Sequence, residues 1–201
     1  MAYSDFTLKK VKQKFNLTIV EQGTFMPPIQ PITPSPYLGE FIAKNLRLAL
    51  AINTEKARSE MLICPILLSV KEYLKNQISL FSGEEFNVDQ SLGLNGVCDY
   101  TLSLSTEQLF IESPVVVVVE AKKEDLKGGL GQCAAEMVAA QKFNEKNDNA
   151  IPSIYGVVTT GSLWRFLKLE ENILIIDLNE YLIPPIEPII GILVQMVSVT
   201  K

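Results

Sequence analysis

The sequence predicts an α/β fold with a central mixed β-sheet flanked by helices, and three observations carry that expectation. Five consecutive valines at 115–119 form a short β-branched run without polar alternation, which reads as a strand buried on both faces. Apolar residues recur at helical spacing before it (Leu38, Phe41, Ile42, Leu46, Ala49) and after it (Ala134, Met137, Val138). The order of the segments is helices, three strands, a helix, more strands and a helix, which suits helices packed on a mixed sheet. A length of 201 residues fits one domain, and 47% hydrophobic against 20% charged residues can bury a core.

The elements follow from local signals in order. Residues 4–15 form a short amphipathic helix, and the proline-rich connector 26–36 cannot be helical. A helix over 37–52 comes next, then a second from the N-cap Thr54 toward Leu74, bent by Pro65. Strands are expected over 78–88, 97–104 and 114–122, with turns at Gly83, Gly93 and Gly96. A helix over 130–146 is followed by strands over 153–160, 163–169 and 173–178, and by a terminal helix over 187–199. The chain is thus one domain, residues 1–201, with an N-terminal helix and connector over 1–36 and a chemistry-bearing core over 54–169. Trp164 and Tyr155 lie in strand-like apolar runs and belong to the core.

Composition removes several kinds of chemistry. No histidine is present, so Ser-His-Asp and Cys-His triads and histidine-ligated zinc or iron are excluded. Any metal must be held mainly by oxygen, which points to magnesium, manganese or calcium. Cys64, Cys98 and Cys133 are odd in number and lie in apolar surroundings, so they read as buried thiols of a reducing, cytoplasmic compartment. No secretory leader pattern is seen, and the apolar stretch 173–199 is broken by Asp177, Glu180, Glu187 and three prolines, so no membrane span is expected. The net charge of −5 argues against coating nucleic acid by charge alone, but not against a nuclease whose metal attracts phosphate. Lys9, Lys10, Lys12 and Lys14 make a local basic patch, read as a solvated helix face.

One constellation stands out. Glu120 and Lys122 are two apart at the end of the valine strand, so both side chains point to one face while Ala121 points to the other. Burying both ions costs several kcal/mol each unless something pairs with them. If 97–104 and 115–122 pair antiparallel, Asp99 comes beside Glu120, and two adjacent carboxylates are relieved by a hard divalent cation.

Asp99 followed on the next strand by Glu120-Ala121-Lys122 resembles the signature of the PD-(D/E)XK, or restriction-endonuclease-like, nuclease superfamily. Glu60, in the helix before the first of these strands, is similar to the helical acid that many members contribute, and Gln132 is similar in position to a glutamine of RecB-like members. Two departures are visible: Cys98 stands where the family name gives proline, and Glu136 stands four residues after Gln132 where the RecB-like pattern has tyrosine. The resemblance implies a restriction-endonuclease-like core and a nuclease acting on nucleic acid, DNA first. It implies Mg2+, replaceable by Mn2+, held by Asp99, Glu120 and the Ala121 carbonyl with Glu60 in support. It also implies that Lys122 orients or activates the attacking water and that Gln132 assists. Lys123 and Lys127 would meet neighbouring phosphates, and many relatives act as homodimers.

Two rivals belong to other classes. Gly129-Leu-Gly131-Gln-Cys-Ala134 fits the G-x-G-x-x-A form of a dinucleotide-binding turn, but the polar stretch 123–128 separates it from its strand, and the glycines more simply open a loop and let the helix approach the sheet. The other rival keeps the nuclease fold and discards catalysis, leaving a binding or scaffold module. Bland alternatives also attach to single residues: Glu120 and Lys122 as a strand-end ion pair, Asp99 as a turn residue, Gln132 as a first-turn residue, and Glu60 as an exposed acid paired with Lys56 at i−4.

Overall fold

A computed structural model describes residues 1–198, and the expected last helical position, Val199, lies outside them. The elements are α1 (Leu8–Lys14), β1 (Thr18–Gln22), α2 (Pro36–Ile52), α3 (Glu55–Arg58), α4 (Cys64–Tyr73), β2 (Ser79–Glu85), β3 (Val97–Ser103) and β4 (Val115–Ala121). They continue with α5 (Leu126–Lys146), β5 (Ile154–Thr159), β6 (Leu163–Glu170), β7 (Ile173–Asp177), β8 (Tyr181–Leu182) and α6 (Glu187–Ser198). Eight strands form one mixed sheet in the order β1-β7-β6-β5-β4-β3-β2, with β8 added on β6. The class is α/β with helices on both faces, as the valine run predicts.

β4 sits in the interior of the sheet, antiparallel to β3 and parallel to β5. Its five valines are fully buried, each stabilising the fold by roughly 1.5–3 kcal/mol relative to exposure. Val117, Val119 and Ala121 pack with α2, α4 and α6 on one face. Val115 and Val118 pack with α1 and α5 on the other. α5 is tied to the start of β4 by Asn144, whose amide donates to the Val115 carbonyl at 2.7 Å and accepts from the Val115 N–H at 2.8 Å.

Local chemistry explains the helix boundaries. The Ser35 hydroxyl accepts from the Leu38 N–H at the start of α2, and the Thr54 hydroxyl accepts from the Ala57 N–H at the start of α3. Between them Asn53, at φ 51°, ends α2 in the left-handed conformation. Pro65 stands inside a helical run that continues through it, from Glu55 to Tyr73. A π-helical segment, Ser59–Ile63, widens the turn ahead of it, where a proline ring would otherwise crowd the carbonyl four residues back.

Three features depart from expectation. β1 and β8 are additions to the expected strands, and β1 pairs parallel with β7, from Thr18 against Ile173 to Gln22 against Asp177. α5 begins at Leu126, four residues earlier than its apolar spacing suggests, because Lys127 and Gly128 are exposed on its first turn. Gly129 and Gly131 therefore lie inside a helix and open no loop. A Cβ on Gly131 would stand 2.4 Å from the Phe6 carbonyl oxygen, and one on Gly129 would stand 2.6 Å from a Val158 methyl. The glycines serve close packing, so the dinucleotide-binding turn is absent at this place. Trp164 and Tyr155 are buried as expected, and no described helix is long and apolar enough to cross a membrane. The three cysteines are free, with Cys98 and Cys133 buried as expected but Cys64 only half-buried, beside the Glu60 turn of the helix.

Candidate active site

The end of β4 gathers the charges that the sequence singles out. The pleat directs Val118, Glu120 and Lys122 toward α5. There Glu120, 1% exposed, forms an ion pair with Lys122. Its other carboxylate oxygen accepts from the Gln132 side-chain amide at 2.8 Å, and the same amide donates to Glu136 at 3.1 Å. The Lys122 ammonium also donates to the Gln132 oxygen at 3.4 Å. Gln132 is thus the hub between strand and helix. Asp99 reaches the same strand end from β3, where its carboxylate accepts the Ala121 N–H at 2.7 Å. A strand residue's N–H and C=O leave on one side, so the Ala121 carbonyl faces the Asp99 edge, while the Lys122 N–H turns to Thr159 on β5 at 2.8 Å.

Electrostatics show an excess of negative charge. Burial raises the Glu120 carboxyl to about 7, and the Asp99 charge adds to that rise while Lys122 opposes it. Burial likewise raises Asp99, partly offset by the Ala121 hydrogen bond and increased again by Glu55. For Lys122, burial acts downward, yet Glu120, Glu55 and Asp99 outweigh it and the ammonium is raised. Glu136 is pushed well up by complete burial and by Glu120, and one of its oxygens has no partner among the described residues. Several acids thus surround one lysine.

Asp99, Glu120, Ala121, Lys122 and Gln132 are brought together; Glu60 is not. Its carboxylate is exposed and lies 3.8 Å from the Lys56 ammonium, one turn back on the outer side of the helix. The acid from this helical region that acts on Asp99, Glu120 and Lys122 is Glu55, in the first turn of α3. Lys123 is exposed, with its ammonium 3.7 Å from Glu124. Glu136 enters the sequence reading only as a departure, although its i+4 spacing from Gln132 puts both on one helix face. Nothing in the local sequence around Glu55 marks it beyond its place after the Thr54 cap.

The donor set fits a hard divalent cation. It offers two carboxylates and a main-chain carbonyl, all oxygen, and a cation there would lower the raised carboxyls. Among the described residues no group of three His, Cys, Asp or Glu side chains forms a metal centre, so further positions would fall to water, as magnesium commonly prefers. Glu136 has a separate role, accepting from the Gln132 amide and holding it in place, with burial pushing its carboxyl toward the neutral form. Glu136→Gln is therefore expected to stay within about 1 kcal/mol of wild type in urea unfolding, whereas Glu136→Ala, which leaves a void and a freed amide, loses roughly 2–4 kcal/mol. A glutamine variant as damaged as the alanine one would show the buried acid to be charged.

No protein-family model, curated protein or solved structure matches this chain. The class defined by fold and site is therefore an α/β protein with an acid–lysine cluster at the end of an interior, fully buried strand.

Proposed function

We propose that the chain is a magnesium-dependent nuclease with a restriction-endonuclease-like core, hydrolysing phosphodiester bonds in DNA. The observation that carries this reading is the meeting of Asp99, Glu120 and the Ala121 carbonyl edge with the Lys122 ammonium at one half-buried strand end. Magnesium, when bound, supplies positive charge that polarises the phosphodiester and offsets the charge developing on it. Asp99, Glu120 and the Ala121 carbonyl would hold it. Lys122, a donor with no acceptor capacity, orients the attacking water or a phosphate oxygen. Gln132 fixes the second oxygen of Glu120 and so sets the angle at which that carboxylate faces its ligand. Manganese suits the same oxygen donors.

Metal titration tests the reading. Mg2+ or Mn2+ at about 100 times its dissociation constant is expected to stabilise the fold by about 2.7 kcal/mol, raising the thermal midpoint by roughly 5–10 °C. Asp99→Asn blunts that response. The pH dependence has a definite sign. A carboxyl raised to about 7 stabilises the metal-free fold most below its ordinary value of 4.5 and loses that contribution as pH rises through about 7. Metal needs the charged carboxylate, so the midpoint rise is largest near pH ~8, and apparent affinity falls toward tenfold per unit below pH ~7. A midpoint indifferent to millimolar metal at pH ~8 removes the metal site.

A second reading keeps the fold and the cluster without catalysis, as a nucleic-acid-binding or scaffold module. The position of Glu60 on Lys56, away from the cluster, favours it. Metal binding without cleavage of supercoiled, linear or single-stranded DNA would select that reading.

A further inference from the structure

Glu120 on β4 stands in register with Val158 on β5, which stands in register with Arg165 on β6. All three face α1 and α5. With strands about 4.8 Å apart, the Arg165 backbone lies about 10 Å from that of Glu120 along one row of the sheet. Beyond that row a groove of about 490 Å³ opens between the start of α1, the first turn of α5 and strands β6 and β7. Its walls carry Lys9, Lys127 and Arg165, with Glu21 as the one acid among the lining residues.

Three features make this groove a place for an anion. Lys9 and Lys127 are exposed, and neither side chain has a hydrogen bond or ion pair among the described residues. Arg165 gives one terminal nitrogen to Glu180 at 3.2 Å, but its Nε is buried without a partner. Lys127 and Gly128 also belong to the first turn of the 21-residue helix α5, where the N-cap Asp125 makes no side-chain cap bond and its carboxylate lies against Gly128, so the anion-binding character of the groove rests on Lys9, Lys127 and Arg165. Positive side chains are concentrated here in a chain whose net charge is −5, so composition alone does not produce the groove.

We infer that this groove is a second docking point for the phosphate backbone of a nucleic-acid strand whose other phosphate lies at the acid cluster. The inference rests on the nuclease reading of that cluster. Each strand of duplex DNA carries a phosphate every ~3.4 Å of axis, so about 10 Å corresponds to phosphates a few nucleotides apart. The groove supplies charge and position, and no base readout is assigned to it.

The test is fluorescence anisotropy of a labelled single-stranded oligonucleotide in EDTA, where cleavage and metal play no part. Wild type, Lys9→Gln/Lys127→Gln, Arg165→Gln and a control, Lys146→Gln in the last turn of α5, are compared over a range of salt. The double variant is expected to bind at least tenfold more weakly. Its plot of log affinity against log salt is expected to be shallower by about 0.7 for each phosphate that the protein no longer neutralises, with the control unchanged. Because both lysines are exposed, the double variant folds, and thermal melting of it verifies this whatever happens with Arg165→Gln. Binding that the double variant retains in full, wild type that does not bind, or an equal loss in the control each overturns the groove. Displacement of the oligonucleotide by micromolar inorganic phosphate would also overturn it, making the groove a free-phosphate site. The nuclease reading fails separately: if binding depends on the groove but neither metal binding nor cleavage depends on Asp99 and Glu120, the groove stands and the active site does not.

Discussion

On the proposed mechanism, Lys122→Ala is expected to abolish phosphodiester cleavage, a loss of at least about 10²–10⁴-fold, while metal affinity and fold stay close to wild type. Glu120→Gln is expected to lose both cleavage and metal affinity. The two residues share one strand end and are ion-paired, so a merely structural role would give them similar losses. Their chemistry predicts otherwise. An ammonium cannot ligate a cation, and its contribution is a donor and a positive charge near the scissile phosphate, felt mostly in the transition state. The amide of Glu120→Gln keeps the shape but gives up the charge that attracts the cation. The assay is an incubation of supercoiled, linear and single-stranded DNA with Mg2+ or Mn2+, with metal affinity measured separately by calorimetry. Lys122→Ala cutting at the wild-type rate would reduce Lys122 to an ion-pair partner and remove the proposed mechanism.

Gly131→Val is expected to be strongly destabilising although it lies outside the acid–lysine cluster. The first added carbon would stand 2.4 Å from the Phe6 carbonyl oxygen and the Thr7 carbonyl carbon, and 2.6 Å from the Leu8 nitrogen. These are backbone atoms, which cannot swing aside as a flexible side chain would. The N-terminal segment must therefore shift from α5, disturbing the buried Tyr3 and Phe6 and the hydrogen bond from the Tyr3 hydroxyl to the Phe86 carbonyl at 2.6 Å. Overpacking of this kind costs about 3 kcal/mol or more, lowering the thermal midpoint by roughly 6–12 °C. Hydrogen exchange should localise the loosening to residues 3–14. A midpoint within about 2 °C of wild type would mean that this segment does not pack closely against α5 in solution.

Much of the fold is legible in the sequence because its signals are local. The valine run announces a buried strand, the spacing of Leu38, Ile42 and Ala49 announces α2, and Thr54 marks a helix start through a hydroxyl that accepts from a backbone N–H. β1 leaves no such mark because Thr18–Gln22 is half-exposed at the sheet edge, and its strand state depends on pairing with β7, far along the chain. The start of α5 is hidden for a different reason: its first turn faces solvent in part and lacks the apolar period that marks the rest of the helix.

The site divides along the same line. Sequence by itself determined that Glu120 and Lys122 share a face, since the pleat repeats every two residues, and that Asp99 on the preceding strand could meet them if the pair ran antiparallel, as it does. It also carried Gln132 and Glu136 to one face of one helix. Only the tertiary structure decided which helical acid acts on the cluster. Both Glu55 and Glu60 belong to the same stretch of helix, but the packing of that stretch turns Glu60 outward to Lys56 and leaves Glu55 to act on Asp99 and Glu120. Likewise, the roles of Gly129 and Gly131 were set by what packs against them, Val158 from β5 and the Phe6–Leu8 backbone. Periodicity fixes which side of its own element a residue occupies, whereas its neighbours across space depend on how elements dock, and that is fixed by contacts between residues distant in the chain.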